Sequence, residues 1–283
     1  MHRTVSTHEN EKLLMKRVCP SHLSIPHKKS TLTNRKQQMS INQILNRNQL
    51  PDVHSKIPSW VINREQDTER LDAFRQEMMK VGYTNVTKWT AMEHERGQTG
   101  LGLTLISMFN AAHKFSEETG GPNMCLIFED DCRFTCAQSY HWFWKMWQLL
   151  PPNWDVLLGG AYGVEAESIS STPYLKKVKN FTGCHMVLWN YTAMKKVLAD
   201  YDPHSPRAVS HIDRFLEKAD LNIYLCDPQV AIQEPGLQST IGPGIVPDRF
   251  SRQTLLTAYK FRDELANIEK NSTIFRTEAQ GRN

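Results

Sequence analysis

The chain has 283 residues, 40% of them hydrophobic, and a formal net charge of +4. That is enough apolar material for one sizeable core, with room for a small second lobe. No apolar run reaches the roughly 18 residues that would suit a membrane-crossing helix. No apolar leader opens the chain, so the cytoplasm is the expected compartment, a host's cytoplasm if the source is a virus.

The basic excess is mild and uneven. Ten Lys and Arg residues lie within the first 56 positions, against Glu9, Glu11 and Asp52. The remainder is close to neutral, so no nucleic-acid partner is expected of the folded part. Residues 1–55 are polar and lack a sustained apolar period. They read as a disordered extension, or as a basic arm, ahead of a single domain over 56–283. The six cysteines do not read as a disulfide framework. Cys132 and Cys136 lack the second close pair that a zinc site needs.

Order is expected to begin near Lys56. IPSWVIN (57–63) reads as a first strand. In DTERLDAFRQEMMKVG (67–82), Leu71, Phe74, Met78 and Val81 fall at helical intervals, and Gly82 is a stop signal. A strand followed by an amphipathic helix opens an α/β fold. VTKWTAM (86–92) is a second strand, and LGLTLISMFNAAHKF (101–115) a helix apolar over much of its surface. MCLIF (124–128) is a continuous apolar run of strand length, which suits an interior strand covered on both faces, as in parallel sheets.

A Trp-rich helix follows, over 140–150, whose aromatic residues read as packing or as a sugar platform. The strand Asp155–Leu158 ends at Gly159-Gly160. Residues 161–179 read as a loop with a short ribbon. CHMVLWN (184–190) is a strand and YTAMKKVLADY (191–201) a helix. HIDRFLEKADL (211–221) is helical and NIYLCDP (222–228) a late strand. Residues 229–250 read as a loop, followed by a polar helix near 252–270.

The chemistry is concentrated in LIFEDDCRF (126–134). In open α/β sheets, ligands bind beyond the carboxyl ends of the strands, which is where Glu129-Asp130-Asp131 falls. Three adjacent carboxylates repel one another and are costly to bury unpartnered. A divalent cation removes that cost, and hard oxygen ligands suit Mg²⁺ or Mn²⁺ shared with substrate phosphates. In an extended segment Glu129 and Asp131 point to one side and Asp130 to the other. Asp131 and Glu129 are then the expected metal ligands, and Asp130 faces a sugar hydroxyl or a backbone amide. Against this stands a solvated acidic turn without a ligand. Phosphoryl or nucleotidyl transfer would also use such acids, but no Gly-rich Walker loop is present.

At these residues the chain resembles glycosyltransferase family 25, the lipooligosaccharide and procollagen galactosyltransferases. The similarity spans roughly 57–242. WVINREQDTERLDAF is similar to the family's opening strand and helix. GQTGLGLTLISMFNAA resembles a G-x-x-G stretch before a helix, MCLIFEDDCRF its L-I-L-E-D-D block, and WDVLLGG and TGCHMVLWNYTAMKKVL the strands that follow. HIDRFLEKADLNIYLCDPQVAIQEPGLQSTIG resembles its closing block. Thr104-Leu105 replace the family's Ser-His pair, and Arg64 stands in place of Leu.

The resemblance implies a GT-A-like fold, a Rossmann-type mostly parallel sheet flanked by helices. It implies inverting transfer of galactose or glucose from a UDP-sugar donor to a carbohydrate or hydroxylated acceptor, with Mn²⁺ or Mg²⁺ on Asp131 and Glu129. Asn63 and Arg64 then lie near the nucleotide, and Arg70 contacts phosphate or pairs on its helix. Asp213 is the candidate general base or a helix cap. His211 completes the metal shell or flanks it. Gly183 permits close backbone approach, and Gln233, Gln238 and Ser239 hydrogen-bond sugar or phosphate from a closing loop. A domain that binds a glycan or a partner without catalysis is the remaining alternative.

Overall fold

In the computed structural model, the residues described are 49–202, 204, 212–234 and 237. Residues 1–48 of the expected arm, the closing loop beyond 237, the helix near 252–270, and His211, Gln238 and Ser239 lie outside them; the last residues of the arm are described and carry a 3-10 turn at Asp52–Ser55.

Strands β1 (Ser59–Asn63), β2 (Thr87–Thr90) and β3 (Met124–Glu129) form one side of an eight-stranded sheet. It continues through β8 (Met186–Asn190), β5 (Val156–Leu158), β9 (Ile223–Cys226), β7 (Thr172–Thr182) and β6 (Tyr162–Ile169). β1 pairs parallel with β2 and β3, and β5 parallel with β9; every pairing of β7 and β8 is antiparallel. So β7 and β8 run one way and the other six strands run the opposite way. The sheet is mixed and mostly parallel, as expected for the α/β class and consistent with a GT-A-like fold. A separate pair joins β4 (Cys132–Phe134) to β10 (Ala231–Gln233).

Alternation along the strands builds a core on each face of the sheet. Val61, Leu126, Phe128, Leu157 and Leu188 face α1 (Thr68–Lys80) and α3 (Ser139–Leu149). Trp60, Cys125, Ile127, Val156 and Val187 face α2 (Gly97–Thr119), α4 (Tyr191–Asp200) and α5 (Ile212–Lys218). Trp142 and Trp144 are buried within the first of these cores, so they pack rather than present a platform. β3 is interior as read, but it has one parallel and one antiparallel neighbour.

Two readings are corrected. Residues 161–179 are not mainly loop: β6 and β7 form a long ribbon at the sheet edge. Half of β6 is exposed and carries Glu165 and Glu167, so its composition resembles a loop. Residues 231–233, read as loop, are β10, whose partner strand lies about a hundred positions earlier. Among the described residues, no helix is long and apolar enough to cross a membrane. The described cysteines, Cys125, Cys132, Cys136, Cys184 and Cys226, are free thiols.

Candidate active site at the carboxyl end of the sheet

β1 and β3 run side by side, with Ile62 opposite Glu129, so Asn63 and the acidic triplet emerge together at one end of the sheet. Gly159-Gly160 leaves β5 at this end. β8, running the other way, enters it through Gly183 and His185.

The chain does not continue extended through the triplet. It turns at Asp130-Asp131 before β4. That overturns the expected alternation, because Asp130 and Asp131 now meet at one guanidinium. Arg70, from α1, donates through Nε to Asp130 Oδ1 at 2.8 Å, through Nη2 to the same oxygen, and through Nη2 to Asp131 Oδ2 at 3.0 Å. Asn63 Nδ2 donates to Asp130 Oδ2 at 2.8 Å. Both oxygens of Asp130 are thus engaged by the protein itself. Arg70 pairs not with a neighbour on its own helix but with two carboxylates beyond the end of β3, which it bridges. Burial alone would lower its pKa, but the bonds to Asp130 and the charge of Asp131 raise it above its ordinary value.

Asp131 is held differently. Its Oδ2 accepts from Arg70 and, at 2.7 Å, from Gln233 Nε2. Its Oδ1 is buried and has no partner among the described residues. Gln233 reaches this carboxylate from β10 rather than from a closing loop.

Glu129 is half-buried. Burial first, then the charges of Asp131, Asp130 and Asp213, push its carboxyl well above the ordinary value, and Arg70 opposes them. Asp213 lies at the start of α5, close enough to act on Glu129. Its Oδ2 accepts from the Gly183 N–H at 3.2 Å and its Oδ1 from the Arg214 N–H at 2.8 Å. Gly183 has φ +88°, a left-handed conformation that favours glycine.

A cavity of about 250 Å³ opens beside the triplet. Asn63, Arg64, Arg70, Glu129, Asp130, Asp131 and Gln233 all line it, whereas Gly183 and Asp213 do not. Arg64 is held by a bidentate pair with Asp67, Nε to Oδ2 at 2.6 Å and Nη2 to Oδ1 at 2.9 Å. The rest of the wall is mixed, with apolar Ile62, Ala91, Met92 and Leu101 beside polar Gln66, Glu93 and His94.

Sequence reasoning did not single out that wall. Thr104 Oγ1 accepts from the Met92 N–H at 2.8 Å and donates to Gly100 O at 2.7 Å. A Cβ on Gly100 would stand 2.4 Å from Met92 O. The Gly97-x-x-Gly100 spacing was the available signal: it lets the 91–94 segment lie against α2. Nothing in the sequence pointed to the docking of Tyr162 and His185 against β10.

The donor set suits a hard divalent cation. It offers the unpartnered Oδ1 of Asp131 and the Glu129 carboxyl, in a group of acids of which Arg70 pairs directly with Asp130 and Asp131. Among the described residues, no three His, Cys, Asp or Glu side chains form a preassembled metal cage. Mg²⁺ and Mn²⁺ sites are commonly incomplete in this way, with one or two carboxylates and the rest supplied by water and substrate oxygens.

No family model matches the chain, and no curated protein matches it. The solved structures that are similar in part include two transferases. One is a glycosyltransferase involved in the glycosylation of the major capsid of PBCV-1: 11% identity, TM-score 0.40, 61% of this chain and 81% of that one. The other is mannose-1-phosphate geranyltransferase from Thermus thermophilus: 10% identity, TM-score 0.36, 60% of this chain and 73% of that one.

Proposed function

We propose that this chain is a metal-dependent glycosyltransferase of the family 25 type. It would transfer galactose or glucose from a UDP-sugar, with inversion, to a hydroxyl of a carbohydrate or hydroxylated acceptor. The observation that carries this reading is the buried, unpartnered Oδ1 of Asp131, set at a strand's carboxyl end beside the cavity.

Asp131, with Glu129, would hold Mn²⁺ or Mg²⁺, which when bound neutralises charge developing on the departing diphosphate. The apolar side chains of Ile62, Ala91, Met92 and Leu101 would meet the flat face of a nucleobase, and Gln66, Glu93 and His94 beside them offer polar groups to its edge. Arg70 and Asn63 hold Asp130 and so fix the turn that presents Asp131. Arg64, at the cavity edge, supplies positive charge toward the donor.

Asp213 is the proposed general base. Each of its oxygens accepts one backbone N–H and retains a lone pair for a proton. The acceptor hydroxyl oxygen bonds to the anomeric carbon, the bond from that carbon to the diphosphate breaks, and the hydroxyl proton passes to Asp213. UDP leaves with the electron pair.

Thermal unfolding with UDP, with and without Mn²⁺, tests this reading. Stabilisation by UDP that requires Mn²⁺ is expected. Stabilisation by ATP and not UDP would instead favour phosphoryl or nucleotidyl transfer. Binding without hydrolysis or transfer across a UDP-sugar panel would indicate an inactive binding domain.

A further inference from the structure

β10 has three residues and one paired neighbour, β4. So short a strand does not hold its own position. Yet its last residue, Gln233, makes a 2.7 Å bond to Asp131 Oδ2. What seats β10 is a set of contacts from β5, β6 and β8. The N–H groups of Val230 and Ala231 donate to Gly159 O at 2.9 and 3.2 Å. Tyr162 Oη accepts from the Gln233 N–H at 2.8 Å. His185 Nε2 lies 3.2 Å from Ala231 O.

The His185 contact is built in tightly. The side chain is fully buried. A Cβ at Gly160 would stand 1.9 Å from Ala231 O and 2.6 Å from His185 Nε2, so the contact forms only because position 160 is glycine. Because Ala231 O can only accept, Nε2 carries the proton and Nδ1 the lone pair. Nδ1 has no partner in the described structure. Buried at this depth, the imidazole contributes one directed bond, from Nε2, and that bond goes to β10.

We infer that His185 is a positioning residue: by holding Ala231 O it seats β10, so that Gln233 fixes Asp131 Oδ2 and leaves Oδ1 open to a divalent cation. This rests on the reading that Asp131 binds such a cation. His185 touches neither cation nor substrate; it acts through two residues of backbone and one side chain.

The test is Mn²⁺ binding by the full chain in the presence of UDP, followed by the loss of the free-Mn²⁺ paramagnetic resonance signal. It is read at a temperature where each variant is folded. His185→Phe removes the donor and keeps the bulk, and Gln233→Ala removes the last link. Each is expected to weaken Mn²⁺ binding by about 10-fold to 100-fold, the usual effect of losing an outer-shell partner. The double variant is expected to be no weaker than the worse single one, because both break one chain of contacts. His185→Gln, which can still donate, is expected to recover part of the affinity. If His185→Phe does not fold, Tyr162→Phe and His185→Gln carry the test, with losses expected in the same direction as for Gln233→Ala.

Wild-type affinity in His185→Phe, or strictly additive losses in the double variant, would overturn the inference and leave the cation reading standing. No Mn²⁺ binding by the wild type would overturn both.

Discussion

Gln233 donates to Asp131 across 102 positions of sequence. The bond occupies one oxygen of a carboxylate whose other oxygen is buried and, among the described residues, unpartnered. Asp131 is thereby divided into a fixed half and an available half, unlike Asp130, both of whose oxygens are taken by Asn63 and Arg70.

Asp131→Asn tests the available half directly. The variant is expected to fold and to lose the Mn²⁺-dependent part of its stabilisation by UDP. At 100-fold saturation that part is about 2.7 kcal/mol, readable as a shift in Tm. Retained Mn²⁺ dependence would remove Asp131 as the ligand.

Arg70 is a different kind of residue from the surface arginines. Its ion pair with Asp130 has side chains 16% and 9% exposed, whereas the Arg75–Asp72 pair is 60% and 66% exposed. Arg70→Met leaves two buried carboxylates uncompensated and is expected to cost about 3–5 kcal/mol in urea unfolding. Arg75→Met is expected to cost about 0–1 kcal/mol. Equal costs would contradict the contrast in burial.

Gly100→Ala drives a Cβ toward Met92 O, so the 91–94 wall must move. A cost of about 1–3 kcal/mol is expected, typical of overpacking. The affinity for UDP should fall with it, because Met92 lines the cavity. Isothermal titration with UDP checks this; an unchanged Kd would place the nucleobase elsewhere.

Asp213→Asn is expected to keep Mn²⁺-dependent UDP stabilisation and to lose transfer by roughly 100-fold to 10,000-fold, the range for removing a general base. Product formation from UDP-galactose or UDP-glucose is the readout, and unchanged turnover would exclude Asp213.

His185 gives a signed pH dependence. Its folded pKa lies below the unfolded value of about 6.5, so the unfolded chain takes up the proton first. The stability it contributes is present above that pH and is lost as pH falls through about 6.5 toward the lower folded pKa. The slope cannot exceed about 1.4 kcal/mol per pH unit for one proton. Urea unfolding of wild type against His185→Gln between pH 7.5 and 5.5 should show the wild type losing more stability on acidification. Parallel curves would mean that His185 titrates normally.

The elements that carry the site were legible because they are strongly patterned. WVIN and MCLIF are apolar on both faces, and both are interior strands. Leu71, Phe74 and Met78, spaced for one helical face, are buried together on α1. An acidic triplet after such a strand had to emerge at the carboxyl end of a sheet, and it does. The β6–β7 ribbon was not legible, since a half-exposed, charged edge strand carries little apolar signal.

Nor could the sequence assign partners to the three acids. It predicted an extended segment with Glu129 and Asp131 on one side, and the turn at Asp130-Asp131 removed that alternation. Local periodicity records which face of an element meets the core. It does not record which distant side chain arrives at a given oxygen. Arg70, Asn63 and Gln233 come from three separate elements, and only their packing decided that Asp130 is closed and Asp131 half open.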